Sequence, residues 1–251
     1  MFYRPTNPAS HRLARLAFYL ALLAALIVAA CGPAHRYLGI DLDLALAMYR
    51  YGFYLAAAAM ALALATLVPT RPGDRRRGFV AALLGLGIGL AAAWGPGGWL
   101  LDARAAPRLN DISSDTDEPP AMVVTQQMRR GAPNPPAYPG KAAAAQQRAA
   151  YPDIQPILLN LTPAEAFRRV DEVAMSMGWD IVARAPAEGR IEAIDTSEWF
   201  GMTDDIVVRL RPEGTSGTRI DIRSKSRVGE SDFGENARRI RTFRDKLKAM
   251  R

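Results

Sequence analysis

Three apolar runs in the first hundred residues limit what this chain can fold into. A helix needs about 20 residues to cross a hydrocarbon core. Residues 13–30 (LARLAFYLALLAALIVAA), 49–68 and 79–99 each supply that length with almost no interior charge, and Pro69 closes the second run. Three helices buried inside a soluble protein are the alternative, but so many long uncharged stretches in 251 residues argue for lipid. The lipid bilayer is therefore the first expected partner, and residues 1–101 the membrane region.

Loop charges orient the helices. Arg4 and Arg12 precede the first run and Arg15 stands at its start, while Arg71, Arg75, Arg76 and Arg77, opposed by Asp74, separate the second from the third. The loop between the first two holds Arg36 with Asp41 and Asp43. Lys/Arg-rich loops resist translocation, so the N-terminus is expected inside and residue 102 onward outside. Residues 1–101 carry nine Lys/Arg and three Asp/Glu, the remainder 23 and 22. Six of the seven net positive charges thus lie beside the membrane helices. A nucleic-acid binder carries its charge on the binding domain, so no nucleic-acid partner is expected.

Arg50, among Tyr49, Tyr51 and Tyr54, has the setting of an arginine that snorkels beside an aromatic belt. Gly85 and Gly89 have the spacing that lets a second helix approach closely, for which packing within the chain suffices. Val28-Ala29-Ala30-Cys31-Gly32 is similar to a bacterial lipobox behind a signal-like segment. Cleavage there would leave a lipidated Cys31 on the outer side; the further spans favour a small buried cysteine at a helix end. As the only cysteine, Cys31 also excludes an intrachain disulfide, so the soluble domain depends on its core.

Nine prolines between residues 102 and 160 prevent any long regular element there, and only residues 141–150 (KAAAAQQRAA) have helix-forming composition. Met122, Val123, Val124, Tyr138, Tyr151 and Ile154 are too apolar for a bare tether, so this connector is expected to wrap partly around the next domain. Asp111, Ser113, Asp115 and Asp117 alternate as in a calcium loop. Thr116 and Met122, however, stand where glycine and glutamate belong, so turn-forming Asp and Ser chemistry is expected there rather than a metal.

Residues 161–251 read as an α+β domain. Thr162-Pro163-Ala164-Glu165 opens a helix with a capping threonine, proline at the first turn and an acid reaching back. Its apolar positions recur at helical spacing until Gly178. Four strand-like runs follow, at 179–185, 190–196, 205–211 and 218–225, divided by turn-forming segments. Alternation in the last two predicts an antiparallel sheet with an apolar face on the core and a charged face outward. A last helix opens near Ser231 or Asp232 and buries Ile240, Phe243, Leu247 and Met250. The expected class is thus three transmembrane helices followed by α-β-β-β-β-α, helices covering one sheet face in a helix-grip-like way.

These residues resemble a known family. Ile191-Glu192-Ala193 and the run WFGMTDDIVVR at 199–209 are similar to the domain of unknown function family 1499. So are DIRSKSRVGESDFGENARRI at 221–240, Asn110-Asp111-Ile112-Ser113 and Tyr151-Pro152-Asp153-Ile154. The resemblance spans residues 107–250 and implies a bacterial envelope protein with relatives in plastids. It implies no activity. With the loop charges, it places the chain in a bacterial inner membrane with a periplasmic C-terminal domain.

Both histidines, His11 and His35, lie in the membrane half, so the soluble domain lacks His and Cys. That excludes Ser-His-Asp and Cys-His catalysis and zinc sites built on those ligands. No cofactor is expected, and no catalytic residue is assigned. The candidate binding site is a basic ridge, Arg223, Lys225 and Arg227 on one strand face, leading to Ser231 and Asp232 at a helix start where an anion is favoured. The favoured reading of these groups is an internal ion-pair network that fixes the strand-to-helix corner, Asp232 capping the helix while pairing with Arg227, with ligand binding as its alternative. Trp199 beside Phe200 at a loop tip offers a docking point for a partner. The expected function is a non-catalytic module binding an envelope protein or anionic ligand. The alternative is a hydrolase of an envelope polymer using Glu192, Asp195, Glu198, Asp204 or Asp205.

Overall fold

The structure, a computed structural model, describes residues 8–70, 77–215 and 217–250. Arg4, Arg71, Asp74, Arg75 and Arg76, on which the orientation argument draws, lie outside the described residues. The chain divides into two compact units, residues 1–101 with 198–201, and residues 102–197 with 202–251.

Helices α1 (Pro8–Leu38), α2 (Leu42–Leu67) and α3 (Arg77–Ala105) make up the first unit, and each is long and apolar enough to cross a membrane. All three outrun the apolar stretches that mark them. Asp41 extends α2 toward its start by accepting from the Asp43 and Leu44 amides, at 2.9 and 3.3 Å. Small residues face inward: Ala14, Ala17, Ala21 and Ala24 on α1 and Ala56, Ala59 and Ala63 on α2 are fully buried. Leu16, Leu23, Leu26, Leu83 and Leu90 point out. Large apolar residues outside and small ones between helices is the packing expected where lipid, not water, surrounds the bundle. Gly85 and Gly89 serve that packing, since a Cβ at Gly85 would lie 3.1 Å from the Phe18 backbone and one at Gly89 2.6 Å from Met60.

The second unit is built on six antiparallel strands. These are β1 (Asp111–Ser113), β2 (Ile157–Leu159), β3 (Asp180–Ala185), β4 (Arg190–Thr196), β5 (Thr203–Glu213) and β6 (Gly217–Ser226). Four of them form the expected meander, in spatial order β6-β5-β4-β3. The other two come from the proline-rich segment and lie end to end on the free edge of β6, β1 against residues 223–225 and β2 against 218–220. They satisfy the backbone groups of what would be an exposed edge strand.

Helices α4 (Val124–Met128), α5 (Lys141–Ala150), α6 (Pro163–Ser176) and α7 (Glu235–Ala249) complete the unit. Thr162 and Glu165 close the capping box at the start of α6. Ala166, Val170 and Val173 of α6 pack with Ala237, Ile240, Phe243 and Leu247 of α7 over Ile191, Ile206, Val208, Ile220 and Ile222 of the sheet. Trp179 stacks on Phe243, centroids 5.6 Å apart, and seals this core. One expectation needs correcting: α7 begins at Glu235, not at Ser231 or Asp232. Phe233 and Gly234 have φ of 53° and 87°, which turns the chain once more before a helix can start.

Candidate functional site

The charged face of the sheet was expected to meet water, and it does not. Residues 111–139 cross it, and from Thr218 to Ser226 every β6 residue except Arg219 is buried. Alternation decides which side chains share a face. On this face stand Glu192 of β4, Asp205, Arg209 and Arg211 of β5, and Arg219, Asp221, Arg223 and Lys225 of β6, with Asp111 of β1 beside Lys225 in register.

Two aspartates hold four cations at one end. Asp111 accepts from Arg223 Nε and Nη2 at 2.9 and 2.8 Å and from Lys225 Nζ at 2.8 Å. Asp205 accepts from Arg227 Nη2 at 2.7 Å, while Arg129 Nη1 lies 3.1 Å from its other oxygen. Side-chain exposure is 1 % for Asp111, 0 % for Asp205, 1 % for Arg129, 4 % for Arg223 and 2 % for Lys225. Carbonyls of the proline-rich segment take up further donors: Pro120 and Pro136 accept from Arg223, and Ala137 from Lys225. Burial pulls the Lys225 ammonium below the ordinary lysine range, with Arg223 and Arg129 pushing the same way against Asp111. Burial likewise lowers Arg129.

A second cluster is balanced. Asp115, Asp221 and Glu118 face Arg209, Arg211 and Arg219, with Asp221 fully buried. Burial would raise the Asp115 carboxyl, but the Glu118 and Asp117 amides and then Arg219 and Arg209 hold it below its usual range. Asp111 and Asp115, read above as parts of a failed calcium loop, are thus ion-pair partners. Among the described residues no group of three or more His, Cys, Asp or Glu is placed to hold a metal.

Glu192 anchors the covering segment. Its carboxylate, 0 % exposed, accepts from the amides of Val123, Val124 and Thr125, from Thr125 Oγ1 at 2.7 Å, and from Arg190. These amides open α4, where a negative charge is favoured. Burial would raise the Glu192 carboxyl, but the bonds from Thr125, Val124 and Val123 outweigh it and leave the group below its usual range. Asp195 and Asp204 both pair with Arg239, at 2.9 and 2.7 Å.

The structure brings Arg223, Lys225 and Arg227 to one face and divides them between two aspartates. Arg227 pairs with Asp205 rather than with the expected Asp232, because Asp205 shares its face of the sheet while Asp232 turns toward α7. Asp232 accepts from the amides of Gly234 and Asn236 at 2.8 and 3.1 Å, and burial raises its carboxyl. Ser231 donates to the Pro107 carbonyl at 3.2 Å, so both residues fix the corner after β6. Trp199 is half exposed, in the turn between β4 and β5. Cys31 lies buried inside α1, its Sγ 3.2 Å from the Val28 carbonyl. Sequence reasoning missed Arg129 altogether and read Asp111 as a turn residue, where the structure pairs it with Arg223 and Lys225. A signal existed for the aspartate: Asp111 falls inside a motif that carries the family resemblance.

A family model described as "Protein of unknown function (DUF1499)" matches residues 111–247, more than half of the chain, from the strand of Asp111 to the last buried turn of α7. No curated protein matches this chain.

Proposed function

Because the chain belongs to the DUF1499 family, whose description names no activity, we propose its function from its own side chains: a membrane-anchored, non-catalytic binding module facing the periplasm of a bacterial envelope. Three apolar helices suggest the membrane association. Loop charges support the orientation, with the N-terminus in the cytoplasm and residues 102–251 beyond the inner membrane.

What carries the non-catalytic reading is the engagement of the carboxylates. A general acid needs a raised pKa and access to substrate, yet Glu192 is buried and held down by the amides of α4. Asp195 and Asp204 are paired with Arg239, and Asp205 lies between Arg129 and Arg227. These are the contacts of a scaffold. Lipidation of Cys31 remains part of the proposal only as the lipobox form, with the same face outward; loss of metabolic lipid label on Cys31→Ser is its test.

Orientation is tested in a Cys31→Ser background by adding Gln146→Cys on an exposed face of α5. A membrane-impermeant maleimide is expected to label it in intact spheroplasts. Labelling only after lysis would overturn the orientation. Catalysis is tested by following complementation and unfolding midpoint together. Glu198→Gln is expected to leave both unchanged. Asp204→Asn, which weakens the Arg239 pair, is expected to reduce complementation only as far as it reduces stability. If either variant abolished function with an unchanged midpoint, the hydrolase reading would replace this one.

A further inference from the structure

Buried charge is tolerated when it is paired and solvated by hydrogen bonds. The cluster around Asp111 and Asp205 falls short of that. Four cations, Arg129, Arg223, Lys225 and Arg227, share two carboxylates, whereas the neighbouring cluster sets three arginines against three acids. The shortage also shows in single atoms. Arg129 Nε and Tyr138 Oη are the buried side-chain nitrogen and oxygen atoms without a hydrogen-bond partner among the described residues, and both belong to donors. Tyr138 covers Arg223, whose Cζ lies 5.5 Å from the ring centroid. Burial first, then Asp111, pushes its phenol up to about 12, so it stays a donor.

Arg129 also lines a cavity of about 290 Å³ between the end of α4 and the proline turn, together with Gln126, Gln127, Arg130 and Asn134. Its lining contains no carboxylate. Arg130 is exposed, and no ion pair holds it among the described residues. We propose that this cavity binds a doubly charged oxyanion of the phosphate class, either free or on a phosphomonoester, which offsets the surplus of two positive charges. The exposed Arg130 guanidinium is its charged donor, Gln126 and Gln127 supply neutral side-chain amides beside it, and the buried Arg129 contributes positive charge without direct contact. This rests on the reading of the domain as a binding module and gives that module a ligand class. It also moves the binding residues from β6, where Arg223 and Lys225 are sealed, to the loop after α4.

The full chain, solubilised in detergent, is titrated calorimetrically with inorganic phosphate and with sulfate at constant ionic strength set by chloride. A parallel arm measures binding of the chain's Arg130→Gln and native forms to phosphatidate and to phosphatidylcholine in nanodiscs. Saturable binding of inorganic phosphate is expected, weakened about tenfold by Arg130→Gln, the loss of one charge-assisted contact. Arg129→Gln, which removes one of the surplus charges, is expected to weaken it as well. Arg130-dependent binding to phosphatidate alone would assign the same chemistry to a lipid headgroup. The proposal is overturned if neither phosphate source binds, or if binding is unchanged in both variants. Near-ultraviolet circular dichroism checks the fold, which Arg130→Gln is expected to leave unchanged because Arg130 is exposed. Failure here leaves the binding-module reading intact, since that reading falls on the Glu198 and Asp204 variants instead.

Discussion

Replacing Asp111 with asparagine is expected to cost the C-terminal domain roughly 3–5 kcal/mol, enough to unfold much of it, since domains of this kind hold only about 5–15 kcal/mol in reserve. Asparagine keeps the shape and removes the charge. Arg223 and Lys225 would then remain in a site where Asp111 is the carboxylate within ion-pair distance and the other acceptors are carbonyls. Breaking one side of a buried pair is far more harmful than never having built it. Urea unfolding of the detergent-solubilised chain, followed by tryptophan fluorescence, measures the loss; Trp179 reports from the core. Asp153→Asn is the comparison. Arg241 holds that carboxyl down to about 2, yet the side chain is 44 % exposed and solvent screens the pair. Its loss is expected to cost under about 1 kcal/mol. Equal effects at the two positions would refute the account of the buried cluster.

Glu192→Gln is expected to cost about 3 kcal/mol at neutral pH, because several charge-assisted bonds end on one carboxylate. It also carries a pH signature. A carboxyl held below its ordinary value of 4.5 in the folded state stabilises that state above 4.5 and ceases to do so as pH falls through the lowered value. The gap in unfolding midpoint between the native chain and Glu192→Gln should therefore be full near pH 7 and close progressively below about pH 4.5. A gap of constant size down to about pH 3 would mean that Glu192 contributes shape rather than charge.

Much of the architecture could be read from the chain because its signals are local. Three long uncharged runs give the membrane helices, the capping pattern at Thr162 starts α6, and alternation in β5 and β6 names the residues on each face. The remainder depends on distant parts of the chain. β1 and β2 are three residues each, too short for any periodicity to mark, and they become strands only because β6 offers them an edge. Alternation tells which residues share a face and is silent about what covers it. A row of arginines and aspartates under water has the same spacing as one under a proline-rich segment. For that reason Arg223 and Lys225 looked like a surface ridge, and Arg129, in a short helix without pattern, drew no notice.

The pairing of β1 with β6 has a consequence for how the molecule is made. Asp111 and Lys225 are 114 residues apart in the chain. At synthesis rates of about 5–20 residues per second, the first strand leaves the ribosome on the order of ten seconds before its partner exists. Through that interval the segment holding Asp111, Met122 and Arg129 has neither its sheet nor its counter-charges, and contacts so far apart in the chain close slowly. The domain therefore cannot assemble piece by piece from its N-terminal side. Its charged layer is completed only when β6 arrives, and until then the chain depends on whatever keeps unfinished proteins from sticking to one another.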